Sequence, residues 1–482
     1  MELEEGRNVW RVARADRFAL IVDAKDYFLH AETVMSSAKH ELLMIGWDVD
    51  PRIALRPAET PGEDEAKLGH FVRNLVRDTA SLSIWILRWR GGAIAALFRG
   101  WSLFWMIRWW MQKRLHLKMD GAHPLGATHH QKIIVADDSF AFCGGIDMTE
   151  GRWDTREHRE GDPRRHAPGG GTLSPWHDAT AAMTGPAARA LGGLARSRWQ
   201  RAGAKAPPQP EETPLPWPED LPFQFEDIDV GIARTYGEID DHEPVREIRQ
   251  LYIDMIASAE TYIYAESQYF ASRVIAEAIH KRLQEDNPPD IVLINPQSAE
   301  GWLEPIAMDS ARNRLMGALG YLDHARTFRM YHPFNAGGEA IYVHAKIMVV
   351  DDRILRVGSS NLNNRSMTLD SECDVVINVK NDADRADEHR AAIRAIVTDL
   401  LAEHLDVEED AVSDKWSECG SLVQTVESLR GTGRTLKPYE RPELDGIEKA
   451  VADTEILDPE GADDLFEPQT RSGLFRGRLQ RR

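Results

Sequence analysis

Cysteine is scarce in this chain: three residues among 482 (Cys143, Cys373 and Cys419), with no C-x-x-C spacing. The sequence therefore predicts neither a disulfide framework nor a zinc–cysteine cluster. Basic residues are also in deficit, because 58 Lys and Arg against 78 Asp and Glu leave a net charge of −20. A charge of that sign repels polyphosphate backbones and disfavours nucleic-acid binding by the chain as a whole.

The N-terminal stretch MELEEGRNVWRVARADRFAL has no basic region followed by an apolar run. A secretory signal peptide requires both, so we expect a cytoplasmic protein. With 482 residues, 42% of them hydrophobic, the chain is long enough for more than one globular domain.

One segment, Arg201 to Pro222, contains seven prolines and little apolar periodicity. It reads as an extended connector between two compact lobes. After about residue 405 the chain becomes acidic and poor in large apolar side chains, as expected of a partly ordered extension. The predicted division is an N-terminal lobe at 1–200, a linker at 201–225, a C-terminal lobe at 226–405 and an extension at 406–482.

The two lobes repeat each other in outline. AETVMSSAKHELLMIGWDVD in the first and LYIDMIASAETYIYAESQYF in the second each read as an amphipathic helix followed by an apolar strand. PWHDATAAMTGPAARAL in the first has its counterpart in DSECDVVINVKNDADRA in the second. The sequence therefore predicts a pseudo-symmetric pair of α/β lobes.

Each lobe carries one copy of the pattern H-x-K-x-x-x-x-D, in ATHHQKIIVADDSFAFCGGID and in IYVHAKIMVVDDRILRVGSSN. His130 and Lys132, like His344 and Lys346, are two residues apart, so on a strand both side chains would point the same way. Seven residues after each motif aspartate comes a small-residue turn, GGID or GSSN, whose backbone N–H groups suit an anion. One motif would arise by chance about once in 10⁴ starting positions. Two copies at identical spacing indicate a function.

The chemistry that suits these residues is phosphodiester cleavage. Charge grows on the non-bridging oxygens as a nucleophile approaches phosphorus, and two ammonium groups stabilise that charge. One neutral imidazole can attack phosphorus and form a phosphohistidine, while the other donates a proton to the leaving alkoxide. No metal or other cofactor is required.

The two motifs, with GGIDMTEGRWD after the first and GSSNLNNRSMTLDSE after the second, resemble the phospholipase D superfamily, in particular its eukaryotic and related bacterial phospholipases D. AESQYF is similar to the IENQYF strand of that group, and the resemblance covers about residues 27 to 400. It implies that the site lies at the interface of the two lobes. It further implies that His130 is the nucleophile and His344 the general acid, with Glu372 the carboxylate partner of His130 and Asp178 that of His344.

Other positions follow from the same resemblance. Asp137 and Asp351 are expected to support the site rather than carry protons, and Gln268 either lines the pocket or is a buried hydrogen-bonding residue. The first turn departs from the GSxN pattern with Asp147, which is unfavourable beside a phosphate unless it is paired, so a turn-stabilising role is the alternative. Four residues match phosphate-contacting positions: Lys132, Lys346, Ser359 and Asn361.

The segment from Ser81 to Lys118 has no acidic residue, seven basic residues and six of the fourteen tryptophans. This composition suits a lipid headgroup interface, although tryptophans at helical spacing are also typical of a buried helix. Arg99 and Arg108 within Ala93 to Gln112 argue against a transmembrane helix.

The leading hypothesis is a phospholipase D acting on glycerophospholipids at a membrane surface, as a monomer, because one chain holds both motifs. A phosphatidyltransferase of the cardiolipin synthase kind is the close alternative, with a nuclease or a non-catalytic membrane-binding module further behind. No nucleic-acid partner is expected. The sequence leaves open the headgroup, hydrolysis versus transfer, the acceptor alcohol, the oligomeric state, regulation and the role of the C-terminal extension.

Overall fold

The computed structural model describes residues 1–59, 67–91, 107–211, 213–239, 242–299, 308–321, 324, 326–380 and 385–441. Two stretches of the sequence analysis lie wholly or partly outside these ranges. They are the middle of the tryptophan-rich segment, at 92–106, and the end of the acidic extension, at 442–482.

Apolar and β-branched runs form the strands, in both lobes. The strands are β1 (Arg11–Val22), β2 (Glu41–Gly46), β3 (Ser83–Trp89), β4 (Leu115–Asp120), β5 (Ile133–Ala136), β6 (Phe140–Gly144), β7 (Trp176–His177), β8 (Ala179–Thr184), β9 (Phe225–Tyr236), β10 (Val245–Arg246), β11 (Tyr262–Glu266), β12 (Asp290–Ile294), β13 (Phe328–Phe334), β14 (Tyr342–Val343), β15 (Ile347–Val350), β16 (Ile354–Gly358), β17 (Glu372–Asn378) and β18 (Thr435–Pro438).

Helices separate some of these strands, whereas β5 to β8 follow one another without an intervening helix. The helices are α1 (Ala24–Ser37), α2 (Leu68–Asp78), α3 (Pro186–Arg201), α4 (Glu247–Ala257), α5 (Arg273–Leu283), α6 (Ser310–Ala318), α7 (Asn364–Thr368), α8 (Ala386–Leu405), α9 (Glu409–Cys419) and α10 (Leu422–Leu429).

Sixteen strands form one continuous mixed sheet, with β1 and β9 paired antiparallel at its centre. Outward from β1 the order is β8, β6, β5, β2, β3 and β4, and outward from β9 it is β17, β16, β15, β11, β12 and β13. The two halves therefore repeat the same arrangement, with β2, β3 and β4 parallel in the first and β11, β12 and β13 parallel in the second. The predicted α/β fold of two pseudo-symmetric lobes is confirmed, and the lobes share a sheet.

Helices cover both faces of the sheet. On one face α3 and α8 pack in a core that extends across both lobes, with Leu191 and Leu400 fully buried. On the other face α1 and α2 cover the first lobe, while α4 and α5 cover the second. This layering explains why strands such as β5 and β15 are apolar throughout: both of their faces are buried.

The motif histidines and lysines lie just before strands rather than on them. The sequence pattern places His130 and Lys132 on a strand, but β5 begins at Ile133 and β15 at Ile347. The segment before β5 stays extended because His129 forms an isolated β-bridge with Ser371 of the other lobe. The extended backbone before β5 is thus held by the opposite lobe.

The proline-rich segment links α3 to β9 without a helix or strand among its described residues. It lies against the first lobe, where Trp217 packs on Phe140 and donates its indole N–H to the carbonyl of Leu221. Residues 406–441, assigned from sequence to the extension, instead form α9, α10 and the edge strand β18, which pairs with β13.

The described part of the tryptophan-rich segment contains a core strand, as its IWILRW pattern predicts. β3 lies between β2 and β4, and Ile84, Ile86 and Leu87 are fully buried. Among the described residues no helix combines the length and apolarity needed to cross a bilayer.

Candidate active site

Backbone hydrogen bonds between the lobes place the two motifs at the interface between the lobes. The N–H of His130 donates to the carbonyl of Ser371 at 2.9 Å, and the N–H of His344 donates to the carbonyl of His177 at 2.7 Å. The short strands β7 and β14 pair in parallel directly before His344. Each histidine is therefore fixed by the lobe that does not contain it.

His130 lies against a carboxylate of the second lobe. Its Nδ1 is 3.0 and 3.1 Å from the two carboxylate oxygens of Glu372. Those oxygens also accept hydrogen bonds from the hydroxyls of Ser359, at 2.5 Å, and Ser366, at 2.7 Å. A carboxyl group that accepts at both oxygens has the bonding pattern of the ionised form. When Glu372 is ionised, Nδ1 of His130 carries the proton and Nε2 keeps its lone pair.

His344 is paired in the same crossed manner with the first lobe. Its Nδ1 lies 2.6 Å from Asp178 Oδ2, while Asp178 Oδ1 accepts the N–H of Ala179 at 2.8 Å. Gly145 allows this close packing, because a Cβ there would lie 2.1 Å from Asp178 Oδ1. No hydroxyl donates to Asp178 among the described residues, so its environment is less polar than that of Glu372.

The two lysines have different surroundings. Lys132 Nζ forms an ion pair with Asp147 Oδ2 at 3.0 Å. Lys346 has a neutral asparagine, Asn361, at the position that matches Asp147, and its Nζ lies 3.4 Å from the amide oxygen of Gln268. Each ammonium also donates to the carbonyl of its own motif histidine. Lys132 thus has a carboxylate as its direct side-chain partner, whereas that of Lys346 is a neutral amide.

Burial shifts the pKa values of the site toward neutral side chains. Burial and the neighbouring lysines hold the pKa values of His130 and His344 well below the usual imidazole value. Burial lowers the pKa of Lys346 to about 7 and raises that of Asp178 to about 7. It also raises the pKa of Glu372 to about 8, with Asp370 adding to the effect, although the Ser359 and Ser366 hydroxyls oppose it.

The turn residues differ in part from the expectation. Ser359 is matched to a phosphate-contacting position, but its hydroxyl is fully buried and holds Glu372, because the turn folds back over β17. Asn361 donates its amide N–H to Gln268 Oε1 at 3.3 Å, and its own Oδ1 is buried without a hydrogen-bond partner. Asp147 is paired with Lys132 and also accepts the N–H of Trp47 at 3.0 Å.

Gln268 lies at the site. Its amide oxygen faces Lys346 and Asn361, and its Nε2 donates to the hydroxyls of Tyr269 and Tyr342. The amide therefore connects the second motif to the aromatic residues around it.

Asp137 and Asp351 lie at the far ends of the motif strands, away from the histidines. Asp137 accepts the backbone N–H groups of Lys39, His40 and Glu41, at 2.7 to 2.8 Å. Asp351 does the same for the three residues that lead into β11, at 2.6 to 2.9 Å. Each fixes the turn at which a neighbouring strand begins.

Two contacting residues were not singled out in the sequence. Trp176 packs its ring against His344, at a centroid distance of 5.1 Å, and the guanidinium of Arg152 lies 4.1 Å above the Trp176 ring. Arg152 is also among the charges that lower the pKa of His344. Both lie within quoted motifs, GGIDMTEGRWD and PWHD, so proximity to the motifs was the available signal.

The groups of described side chains that could hold a metal ion lie around His177, behind Asp178. They do not include either motif histidine or lysine.

Comparisons with known proteins find phospholipase D-like relatives. The family model described as "Cardiolipin synthase, PLD-like domain" matches residues 252–393. Phospholipase D A of Dictyostelium discoideum is 25% identical over 76% of the chain and 33% of its own length, and Phospholipase D1 of Saccharomyces cerevisiae is 24% identical over 75% and 26%. The chain thus spans a third or less of these relatives.

Among solved structures, phosphatidylserine synthase of Haemophilus influenzae aligns with a TM-score of 0.50. The alignment covers 80% of this chain and 89% of that one at 12% identity. At that identity the likeness shows a shared fold.

Proposed function

Because the chain belongs to the phospholipase D superfamily, we propose that it is a phospholipase D that cleaves the distal phosphodiester of glycerophospholipids. The products are phosphatidic acid when water is the acceptor and a new phosphatidyl ester when an alcohol is. The observation that carries the proposal is the pair of crossed contacts, His130 with Glu372 and His344 with Asp178, beside two lysines.

The first step uses His130 as the nucleophile. With Nδ1 bonded to Glu372, Nε2 attacks phosphorus, an N–P bond forms, and the bond from phosphorus to the headgroup oxygen breaks. The His130 side chain is 16% exposed and that of His344 6% exposed, so His130 is the more accessible of the two.

His344 supplies the proton for the leaving alkoxide through Nε2. The pair formed with Asp178 can hold an extra proton near neutral pH, since burial raises the pKa of Asp178 to about 7. The arrival of an anionic phosphate favours imidazolium over neutral imidazole, which moves that proton to His344. In the second step His344 takes a proton from water or alcohol, the new O–P bond forms and the N–P bond breaks.

Lys346 and Lys132 stabilise the negative charge that develops on the phosphate oxygens. Lys346, whose hydrogen-bonding side-chain partner is the neutral amide of Gln268, shares its charge with no directly bonded carboxylate among the described residues. Lys132 shares its charge with Asp147. We expect Lys346 to contribute more to transition-state stabilisation.

A lipid substrate is supported by the names of the relatives and by the flank of the tryptophan-rich segment. Just before β4, Ile107, Trp110 and Met111 are 51%, 77% and 70% exposed. Large apolar side chains at such exposure suit contact with a lipid surface. We propose that this flank is part of a peripheral membrane contact.

A second candidate is transfer of a phosphatidyl group to a lipid alcohol, as in cardiolipin synthesis. The family model that matches the second lobe carries that description. The two reactions share the first step and differ in the acceptor, so the same active-site geometry serves both.

The test is mass spectrometry of products from phosphatidylcholine vesicles with and without ethanol, using the wild type and His130→Ala. The proposal predicts phosphatidylethanol from the wild type alone. Phosphatidylglycerol vesicles form the second arm, where cardiolipin as product would establish the second candidate. Plasmid DNA is the third arm, and its cleavage without any lipid product would overturn both.

A further inference from the structure

A second cluster of buried polar side chains lies at the interface between the lobes. Asp23, His158 and His177 come from the first lobe and Glu403 from α8 of the second, and none is more than 6% exposed. Four such ionisable groups out of contact with water need a compensating charge or a complete set of hydrogen bonds.

The ligand atoms of this cluster all lie within 4.8 Å of one another, close enough to share one metal ion. His158 Nε2 lies 3.1 Å from Glu403 Oε1 and 3.6 Å from Asp23 Oδ2. His177 Nδ1 lies 2.8 Å from Glu403 Oε1 and 3.4 Å from Asp23 Oδ1. Zinc–ligand bonds of about 2.0 to 2.1 Å place tetrahedral ligands about 3.3 Å apart.

The other nitrogen of each histidine is bound to a carboxylate. His158 Nδ1 lies 2.9 Å from Asp154 Oδ2, and His177 Nε2 lies 2.8 Å from Glu266 Oε2. Metal-binding histidines show this pattern, because an outer carboxylate fixes the tautomer and aims the free nitrogen at the metal. Here the two free nitrogens face Asp23 and Glu403.

Asp23 Oδ2 is buried and accepts no hydrogen bond from the described residues. His177 Nδ1 is also buried and lies 2.8 Å from Glu403 Oε1, but without the alignment of a hydrogen bond. Asp23 also has φ 65° and ψ 154°, a backbone conformation that is almost confined to glycine. A cation between these atoms would satisfy both.

We propose that Asp23, His158, His177 and Glu403 bind one divalent transition metal ion of the zinc class, which joins the two lobes. The ion is structural, and no step of phosphodiester cleavage passes through it. Two nitrogen and two oxygen ligands, each from a buried side chain, suit zinc better than magnesium or calcium, which prefer all-oxygen sites.

The site is also placed to position the general acid. The N–H of Asp178 donates to Asp23 Oδ1 at 3.1 Å, and the N–H of Asp23 donates to the carbonyl of Asp178 at 2.7 Å. His177 adjoins Asp178 in the chain, and its carbonyl accepts the N–H of His344. A metal at His177 and Asp23 therefore holds the backbone on which the Asp178–His344 pair depends.

The test measures metal content of the full chain by inductively coupled plasma mass spectrometry, before and after dialysis against a strong chelator. We expect about one equivalent of zinc per chain, and a fall in Tm on chelation that added Zn²⁺ reverses. Co²⁺ in place of zinc should show the visible absorption of a tetrahedral site. Asp23→Asn and His158→Gln should lose the metal, whereas His116→Gln, whose ring stacks on Trp85 away from the cluster, should keep it.

A wild type that contains no metal, and takes up neither Zn²⁺ nor Co²⁺ after chelation, would overturn the proposal. The cluster would then be an ion network of protonated histidines. Metal stoichiometry is read without substrate, so it is independent of the phosphatidylethanol assay. Chains that bind zinc but make no lipid product would refute the proposed function alone.

Discussion

At the scale of single residues, the two motifs are alike in sequence and different in surroundings. Glu372 accepts two serine hydroxyls, whereas Asp178 accepts one backbone amide. Lys132 faces a carboxylate, whereas Lys346 faces amides. The proposed function gives the two histidines separate roles on the basis of these differences, which the pattern H-x-K-x-x-x-x-D does not reveal.

Replacing the partner of the nucleophile tests this assignment. Glu372→Gln keeps the size of the side chain but places an amide N–H opposite His130 Nδ1, which favours the wrong tautomer. We expect kcat to fall by about 10³ to 10⁴, as for an equivalent change in a serine protease triad. Asp254→Asn, at a half-buried carboxylate on α4 that binds Asn8, is the control and should keep wild-type turnover. Equal loss in both variants would contradict the role of Glu372.

The pH dependence of kcat/KM should be a narrow bell near neutral pH. Activity rises as Glu372, with a pKa of about 8, loses its proton and can accept the His130 N–H. It falls as Lys346, with a pKa of about 7, loses the charge that binds phosphate. Because the pKa of the ascending limb lies above that of the descending limb, only a minority of molecules has Glu372 ionised and Lys346 charged at the optimum pH.

Lys346→Arg separates the two limbs, since a guanidinium stays protonated throughout this range. Its residual activity should rise with pH and show no descending limb. A wild-type profile that is flat across neutral pH would contradict the account.

At the scale of elements, the motif aspartates fix the turns on which the site strands depend. Asp351 holds three successive N–H groups at the start of β11, and Asp137 holds three at the start of β2. Their position five residues after the lysine is explained by the length of β15 and β5, four residues each.

Asp351→Ala should therefore lower stability rather than catalysis. Loss of the carboxylate leaves the half-buried N–H of Tyr262 without its acceptor, while water can reach the two exposed N–H groups, so the cost should be about 1 to 3 kcal/mol. Asp351→Asn keeps one acceptor oxygen and tolerates the positive φ of 53°, so its cost should be smaller. Urea denaturation measures both, and kcat below the transition should stay within a few-fold of wild type. A folded Asp351→Ala protein without turnover would show that Asp351 takes part in the chemistry.

Sequence predicts the elements better than their ends and contacts. The helix-to-strand repeats and the β3 core strand follow from apolar periodicity and are present. The start of β5 at Ile133 depends instead on Ser371, a pairing between residues more than 200 positions apart. The role of Ser359 likewise depends on where β17 brings Glu372, which no local pattern encodes.

At the scale of the whole molecule, the lobes form one sheet joined by β1 and β9. The repeat of the two lobes was readable from sequence because each half carries the same order of motifs. The incorporation of 406–441 into the second lobe was not, because acidic composition hides the few large apolar residues, such as Trp416 and Val426, that are buried in the core. The cluster around His177 was also missed, since its members are spread from Asp23 to Glu403.

A single chain should hold one complete site. Mixing His130→Ala with His344→Ala should restore no activity. Both motifs of a site belong to one chain and its single sheet, and neither variant chain has two intact motifs. Product assays on the equimolar mixture, across a range of protein concentrations, measure this. Turnover that appears on mixing and grows with concentration would show that sites are shared between chains.

The most direct test is the reaction of His344→Ala with phosphatidyl-p-nitrophenol. The nitrophenolate of this substrate leaves without protonation by a general acid. The first step should then proceed and the second, which needs His344 as base, should stall. The predicted result is a burst of about one equivalent of nitrophenolate per chain, with the phosphatidyl adduct on the His130 peptide by mass spectrometry. No burst from His344→Ala, together with a burst and an adduct on His344 in His130→Ala, would contradict it.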